Sequence, residues 1–424
     1  MRSLATGLAL CLLVACGKGH VPTWTENVEP IVQQNCNGCH GANGIAPIGL
    51  DTYLRAKLHG AQMARQVTSG KMPPWPPSNE GVPLKGSRAL KDDEIQTLNE
   101  WVASGMPEGP ASAHKERTPK TAPFTADLSV QMQQPYTPQE GLSDDYRCFV
   151  IDPHASATRM VTGYDVAPGQ PGNVHHVILF EVLNQGGAVE KVRAMDGADG
   201  RPGYTCFGGP MVDTSRGGIG GLPPYRLVGG WAPGQGATVL PEQTGIPLEA
   251  GAVLLMQVHY NTVNGRNADQ TAARLMLADP ATQANLVPAL LVPIVDDRFT
   301  VPTGKVVTDS RSFVLPGFIP SFTIRAVYPH MHLLGTKISM TATHAGQTST
   351  LIDIKNWDFH WQGEYELESK IKLAPGDSLG ISCTWDNTPA HQPELNGVRG
   401  QPKDVRWGEK TTDEMCLGFL YVTF

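Results

Sequence analysis

Residues 253–260 read Val-Leu-Leu-Met-Gln-Val-His-Tyr, an apolar run that ends on a histidine and a tyrosine. A short apolar run rich in β-branched residues predicts a buried β-strand. Similar runs lie between Gly- and Pro-containing turns at 177–180, 321–327 and 418–423. The 424 residues include 46 Gly and 35 Pro, and only 17% are charged, which favours many short strands over long surface helices. We therefore expect an all-β structure for most of a chain that is long enough for several domains.

The composition argues against some classes of partner. The formal net charge is -7, and no stripe of basic residues is visible, so nucleic acid is not an expected partner. Beyond the amino terminus, no stretch approaches the roughly 18 to 20 apolar residues needed to span a bilayer.

The amino terminus has the pattern of an export signal. Arg2 supplies a positive charge, residues 8–14 are apolar, and Leu13-Val14-Ala15-Cys16 ends on a cysteine. This box resembles the bacterial lipobox, which implies removal of residues 1–15 and a lipid on Cys16. Such a protein is tethered in the cell envelope, and Gly17 favours the outer membrane. An ordinary secretory signal is the alternative.

The eight cysteines divide into groups. Cys11 leaves with the signal, and Cys16 is assigned to lipid. Cys36 and Cys39 fall in a motif of their own, described next. The remaining four are an even set in an exported chain, which is compatible with two disulfides; they are Cys148, Cys206, Cys383 and Cys416.

Cys36-Asn37-Gly38-Cys39-His40 is the attachment pattern of haem c. The two thiols add to the haem vinyl groups, and the adjacent His40 is placed to bind the iron. A redox or zinc Cys-x-x-Cys beside an incidental histidine is the alternative. The motif predicts one covalent haem c.

Residues 22–108 resemble a small all-α cytochrome c. We expect a short helix at 30–34 and a terminal amphipathic helix at 95–102, opened by three acidic residues. Between them, the Pro-rich loop 70–75 resembles the loop that carries the axial methionine, which makes Met72 the predicted sixth ligand, with Met63 and Met106 as rivals. A Met/His pair suits electron transfer. A polar, Pro-rich linker follows at 109–126.

Histidines cluster in the carboxy-terminal part: His175-His176, His259, and His330-Met331-His332. Clustered imidazoles in strand contexts predict a metal site. Alternate residues of a strand face the same side, so His330 and His332 could share one ion. Adjacent residues face opposite sides, so His175 and His176 could share an ion only at a bulge or a strand end.

The order of these residues resembles the ascorbate-dependent type II copper monooxygenases, whose pattern is His-His, His-Tyr, His-x-His and then Met-Cys. Asp413-Glu414-Met415-Cys416 supplies the last element. The resemblance implies two copper ions: an electron-transferring copper held by His175, His176 and His259, and an oxygen-binding, catalytic copper held by His330, His332 and Met415. Gln257 and Tyr146 also match the family.

The same resemblance implies a fold and a disulfide pairing. Two jelly-roll β-sandwiches are expected, over 127–280 and 281–424, with a break near 278–290. The implied disulfides are Cys148 with Cys206 and Cys383 with Cys416. Together with the amino-terminal module, the chain is predicted to be multidomain, with a small all-α domain followed by two all-β domains.

The sequence departs from the peptide-hydroxylating members of that family. Their arginine, asparagine and tyrosine anchors for a substrate carboxylate are replaced here by Tyr328, Leu417 and Phe419. A peptide carboxylate would lose its partners, which costs several kcal/mol when it is desolvated. A less charged, more apolar or aromatic substrate is expected. The family's His-His-Met also differs, since Val177 stands third.

The resemblance therefore implies an enzyme that uses O₂ to hydroxylate a small organic molecule. Its electrons would come from ascorbate or a periplasmic redox protein, through or alongside the tethered haem. Two other interpretations remain open: a non-enzymatic copper-binding and electron-transfer lipoprotein, and a structural surface protein with an incidental haem domain.

Overall fold

The computed structural model describes residues 21–41, 46–115, 124–212, 223–232, 235–262, 265–359, 361–395 and 398–424. The predicted signal and Cys16 lie outside these residues. The chain forms two compact units, one made of Met1–Pro74 with Arg88–Lys120, and one made of Trp75–Ser87 with Thr121–Phe424. No helix in the described ranges is long and apolar enough to cross a membrane.

The first unit is helical where it is described. Its helices are α1 (Glu29–Asn35), α2 (Asn37–His40), α3 (Tyr53–Thr68) and α4 (Asp92–Ala103), with a π-helical turn at Trp24–Val28 and a 3₁₀ turn at Ala111–Ala113. The backbone N–H of Lys91 donates to Glu94 Oε2 at 2.9 Å, so the acidic start of α4 caps the helix as its sequence indicates. The helices predicted at 30–34 and 95–102 are confirmed within α1 and α4.

Two tryptophans organise the core of this unit. The rings of Trp24 and Trp101 lie 5.9 Å apart, and both side chains are buried. Trp101 Nε1 donates to the Pro107 carbonyl at 2.9 Å, which satisfies its buried N–H. Leu98 and Val32 belong to the same core, and the apolar face of α4 packs against α3 and the Trp24–Val28 turn.

Residues Trp75–Ser87 belong to the second unit, although they fall inside the predicted 22–108 module. The Val82 N–H donates to the Thr350 carbonyl at 2.8 Å, and the Lys85 N–H donates to the Glu366 carbonyl at 2.8 Å. No periodicity in residues 75–87 predicts this pairing.

A five-stranded antiparallel sheet forms one wall of the second unit. Its order is β5 (Tyr204–Thr205), β2 (Asp144–Ile151), β9 (Val253–Asn261), β4 (Val174–Val182) and β6 (Tyr225–Trp231). Helix α5 (Ala188–Met195) packs on its outer face together with Val253 and Leu255. Residues 253–260 therefore lie in the central strand of this sheet.

A nine-stranded sheet faces it and continues beyond it. Its order is β1 (Leu128–Gln131), β10 (Ala272–Leu277), β3 (Arg159–Ala167), β8 (Thr244–Leu248), β11 (Val287–Val295), β22 (Leu417–Thr423), β14 (Phe322–His330) and β17 (Tyr365–Leu373), with β7 (Thr238–Val239) paired to β3. The junction is a short parallel pairing of β8 with β11, where Val287 lies opposite Thr244. A 3₁₀ turn at Gln283–Asn285 stands between β10 and β11.

The second half of that sheet is covered by a four-stranded sheet, in the order β13 (Val306–Val314), β18 (Ser378–Asp386), β15 (Gly335–His344) and β16 (Gln347–Ile354). Two short pairs complete the described strands: β12 (Thr300–Val301) with β21 (Val405–Arg406), and β19 (Glu394–Leu395) with β20 (Val398–Arg399). The predicted strands are confirmed within β4, β9, β14 and β22, and the prediction of a mostly β-sandwich architecture is confirmed.

Each pair of facing sheets encloses its own apolar core. One core contains Val161, Leu254 and Met256, and the other contains Ile324, Ile352 and Leu420. We call the sandwich built from β1 to β10 the N-sandwich and the sandwich built from β11 to β22 the C-sandwich. The disulfides Cys148–Cys206 and Cys383–Cys416 are both formed, as the family resemblance implied.

Candidate metal centre

Three histidines of the N-sandwich converge on one point. On neighbouring strands, Tyr146 lies opposite His259, and His259 lies opposite His176, so the three side chains share one face of the sheet. The Tyr146 ring stacks on the His259 ring at 4.1 Å and 7°. Stacking on a buried tyrosine limits the rotation of the imidazole and aims its nitrogens.

A β-bulge brings the side chain of His175 to the same face. The register of β4 against β9 shifts between Val174 and His176, so His175 is not turned away as in a regular strand. His176 Nδ1 lies 3.3 Å from His175 Nδ1 and 3.4 Å from His259 Nδ1. The metal-binding atoms of the three histidines lie within 4.8 Å of one another, which is the spacing of a three-nitrogen metal site.

The carboxylate of Asp144 is hydrogen-bonded to one histidine of this cluster, His259. Asp144 Oδ1 accepts from His259 Nε2 at 2.9 Å and from Thr411 Oγ1 at 2.9 Å. Burial alone would raise the pKa of Asp144, but its hydrogen bonds, chiefly the one from His259, hold that pKa below its usual value. Because Nε2 donates to Asp144, Nδ1 of His259 is left as the free lone pair that a metal requires.

The second set of predicted ligands lies at the edge of the C-sandwich. His330 is the last residue of β14, and His332 follows in the turn, with their ring centroids 5.2 Å apart. His330 pairs with Leu417 across the antiparallel strands, and continuing that register places Met415 opposite His332. The structure therefore brings the two histidines together, and Met415 lies in the segment just before β22, next to Glu414, which accepts the backbone N–H of His332.

Each histidine of this second set is oriented by a hydrogen bond through Nδ1. His330 Nδ1 lies 2.5 Å from Gln362 Oε1, and His332 Nδ1 lies 3.2 Å from the Asp413 carbonyl. Both partners are acceptors, so Nδ1 carries the proton in each ring and Nε2 is free. Two imidazole nitrogens with a thioether sulfur make a soft donor set that favours Cu(I) over zinc.

A buried carboxylate connects the His332 turn to the Met415 segment. Glu414 accepts the backbone N–H groups of His332 and Leu334 at 3.1 and 2.6 Å, and the Trp385 indole N–H at 3.0 Å. Burial raises the pKa of Glu414 to about 8, against the effect of these donors. The side chain fixes the backbone geometry on which the second set of histidines depends.

Burial lowers the pKa of four of the five histidines, which favours their uncharged form. It lowers the pKa of His176 and of His332 well below the usual value, and neighbouring imidazoles lower both further. It also lowers the pKa of His330 and of His259, although Gln362 and Asp144 oppose the shift. Neutral imidazoles at neutral pH are the form that binds a metal, so little proton release is needed for loading.

The positions that lack the family's carboxylate anchors form one surface. Tyr328 lies opposite Phe419, and His330 lies opposite Leu417, on adjoining strands of the C-sandwich. The four side chains therefore share the face on which His330 stands, and all are half-buried. The surface beside the second histidine set is aromatic and aliphatic.

The residues of the Cys-x-x-Cys-His motif lie in the helical unit. Cys36 and Cys39 are free thiols, and burial, with a smaller effect from Cys39, raises the pKa of Cys36 to about 12. His40 Nδ1 donates to the Ile48 carbonyl at 2.9 Å and leaves Nε2 free.

The three candidate methionines occupy different places in that unit. Met63 is buried on α3, within the helical core. Met106 has its sulfur close to Gly60, where a Cβ would lie 2.5 Å from it. Met72 is only partly buried and packs against the same core cluster as Cys36. Met63 therefore acts as a core side chain, and Met72 stays the predicted axial ligand.

Two β-sandwiches with five clustered histidines, of which His175, His176 and His259 could hold a metal ion, form a candidate metal centre. Residues 317–423 match the family model described as copper type II ascorbate-dependent monooxygenase, C-terminal domain. This match covers the strands that hold His330, His332 and Met415. It supports a relationship of this chain to a family of copper-dependent oxidoreductases.

Curated relatives agree with the family model. A dopamine beta-hydroxylase of Canis lupus familiaris is 23% identical over 281 residues, which are 60% of this chain and 39% of that protein. A dopamine beta-hydroxylase of Rattus norvegicus is 24% identical over 359 residues, 78% of this chain and 52% of that protein. A tyramine beta-hydroxylase of Caenorhabditis briggsae is 22% identical over 212 residues, 46% and 34% respectively. The chain thus spans about half or less of the length of these relatives.

Solved structures are only distantly similar. An N-glycanase F aligns over 70% of this chain and 96% of its own, with 10% identity and a TM-score of 0.29, which is too low to support a statement about this chain.

Proposed function

We infer that this chain is a copper-dependent monooxygenase that hydroxylates a C–H bond of an apolar or aromatic organic substrate. The observation that carries the proposal is the convergence of three imidazoles within 4.8 Å, close to a second pair of imidazoles, His330 and His332, whose ring centroids lie 5.2 Å apart. The balanced reaction takes R–H, O₂, two electrons and two protons to R–OH and water. Copper in the two sites would supply the electrons and the activation of O₂.

The protein side chains have separate parts in this proposal. Tyr146 and Asp144 fix His259, and the bulge supplies His175 and His176, so these three histidines would hold one copper through nitrogen atoms alone. His330, His332 and Met415 would hold the other and leave a coordination position open. Their positions are set by Gln362 and Glu414, which need not move during turnover.

The surface next to His330 supports the proposed substrate class. Tyr328, Leu417 and Phe419 offer apolar contact area and no positive charge for a carboxylate. A glycine-extended peptide would leave its carboxylate desolvated and unpaired there. The curated relatives named for dopamine and tyramine hydroxylation are consistent with an aromatic substrate.

We further propose that the helical unit carries one covalent haem c, attached to Cys36 and Cys39 and ligated by His40 and Met72. Free thiols and a histidine with a free Nε2 fit that group. Replacing both cysteines by alanine should abolish the haem that stays with the protein after denaturation. If denaturation releases all haem from the wild-type protein, covalent attachment is wrong.

One haem holds one electron, so it would relay electrons rather than store those for a whole turnover. Stopped-flow measurement of the ferrous haem tests this. Reoxidation by O₂ should be faster in the copper-loaded wild-type protein than in His259→Ala. Equal rates would refute the relay and leave ascorbate or another reductant as the direct donor.

Anchoring to the cell envelope through Cys16 is a separate proposal based on the lipobox. Expression in a bacterial host should place the wild-type protein in the membrane fraction, with a mass increase at Cys16. Cys16→Ser should release it. A wild-type protein without that mass increase would contradict lipidation.

The hydroxylase proposal is tested by incubating copper-loaded protein with cell extract, reductant and ¹⁸O₂, followed by mass spectrometry. A product labelled with one ¹⁸O atom is expected with the wild-type protein and not with His332→Ala. If copper is bound at both sites and no labelled product forms, the chain is a copper-binding electron-transfer protein instead.

A further inference from the structure

A short irregular segment lies between β16 and β17 of the C-sandwich and touches both histidine sets. We define the clasp as Phe359 together with residues 361–364. The Phe359 ring stacks on the His175 ring, with centroids 5.1 Å apart and 18° between the planes. The same ring meets the His332 ring edge-on at 5.9 Å and 89°. One aromatic side chain therefore separates a histidine of each proposed copper site.

Gln362, in the middle of the clasp, is hydrogen-bonded to His330. Gln362 Oε1 accepts from His330 Nδ1, and Gln362 Nε2 donates to the Phe359 carbonyl at 2.9 Å. The amide is thus satisfied on both sides, which leaves it a single orientation. Through this side chain, a rotation of His330 and a displacement of the Phe359 backbone are coupled.

The end of the clasp is anchored to the N-sandwich. Glu364 Oε1 accepts the hydroxyl of Tyr164, which lies on β3 and is only 1% exposed. The sheet makes room for this ring at Gly229, where a Cβ would lie 2.2 Å from it. A buried hydroxyl-to-carboxyl bond of this kind is costly to leave unmade, because its partners have no access to water.

We propose that the clasp is a positioning element that fixes the separation and the relative orientation of the two histidine sets. The two sets belong to different sandwiches, and the sheet that the sandwiches share is joined by the two-residue pairing of β8 with β11. Contacts close to the two sets, such as those of the clasp, therefore bear directly on their spacing. Phe359 is 7% exposed and fills that space with a rigid ring. The inference rests on the proposed function, since it concerns the distance between two copper sites.

The first test measures the magnetic coupling of the two sites. Wild-type protein loaded with Cu(II) should give an EPR spectrum broadened by dipolar coupling, compared with His259→Ala, which would keep one copper. Phe359→Ala should lose this broadening. Phe318→Ala removes the same side chain from a position that is 85% exposed on the same sandwich, and should leave the spectrum unchanged. Broadening retained in Phe359→Ala, or absent from wild-type protein that holds two coppers, would overturn the proposal.

Phe359→Leu is a conservative variant that controls for loss of folding in Phe359→Ala. It keeps most of the buried volume and removes the stacked ring, so the broadening should still decrease while the thermal transition stays cooperative. Glu364→Gln should have the same effect by weakening the anchor at Tyr164, whereas Glu368→Gln, at an exposed position of β17, should have none. A Glu364→Gln spectrum identical to that of Glu368→Gln would count against the anchor.

A second test works without metal and separates the two proposals. In metal-free protein, hydrogen exchange of the backbone around 174–176 and 330–332 should accelerate together in Phe359→Ala and not in Phe318→Ala. If the wild-type protein fails to bind two coppers, the proposed function is wrong, but this exchange result still decides the clasp. Unchanged exchange in both segments would refute it.

Discussion

Removing the carboxylate behind His259 should weaken copper binding at the first histidine set. Asp144 is 10% exposed and His259 is fully buried, and their hydrogen bond is 2.9 Å long. A hydrogen bond to a charged group contributes about 1.5–3 kcal/mol. At roughly 1.4 kcal/mol per factor of ten, Asp144→Ala should weaken binding roughly tenfold to a hundredfold. Asp144→Asn keeps an acceptor oxygen and should lie near the lower end of that range, roughly tenfold.

The assay is an anaerobic competition titration of Cu(I) against a coloured chelator. Carrying out the titrations in a His330→Ala background leaves the first set as the main site and keeps the two affinities apart. Glu140→Gln is the matched control, since Glu140 is 90% exposed and makes only a 3.8 Å ion pair with Arg266. If Asp144→Ala binds Cu(I) as tightly as Glu140→Gln does, Asp144 does not orient His259 for a metal.

Three further predictions concern the framework. Replacing Cys383 and Cys416 by serine opens a link across 33 residues and should lower the free energy of unfolding by about 4 kcal/mol in urea titrations; a loss below about 1 kcal/mol would contradict this. Burial raises the pKa of Glu181 to about 7, so the stability it contributes at low pH should be lost as the pH rises from about 4.5 through about 7. Glu181→Gln should flatten that part of the stability profile, and an unchanged profile would refute the assignment. Gly229→Ala places a methyl group against Tyr164 and should lower the free energy of unfolding by about 1–3 kcal/mol in thermal unfolding. An unchanged thermal transition would contradict this contact.

The strands could be predicted from the sequence because their apolar runs are short and bounded by turns. Residues 253–258, which lie in the central strand β9, are apolar apart from Gln257 because both faces of the sheet are covered, one by the core and one by α5. The continuous nine-stranded sheet could not be predicted, because its junction is a pairing of only two residues between β8 and β11.

The grouping of the histidines into two sets could be predicted from their order and neighbours, and the geometry of the first set could not. A His-His pair on a regular strand points to opposite faces, and only the register shift at Val174 resolves this for His175 and His176. Such a bulge depends on the partner strand, which carries no mark in the local sequence.

The supporting residues were missed for a similar reason. Asp144, Gln362 and Phe359 are distant in sequence from the histidines they contact, so no spacing rule identifies them. Glu414 is the exception, because it is adjacent to Met415 within the motif that the sequence analysis used.

The most direct test of the central claim is the copper-to-protein ratio after loading with Cu(I) and removal of weakly bound metal. Two coppers per chain are expected for the wild-type protein, one for His259→Ala and one for His332→Ala. A wild-type ratio below two, or a ratio that either substitution leaves unchanged, would contradict the assignment of the two histidine sets as copper sites.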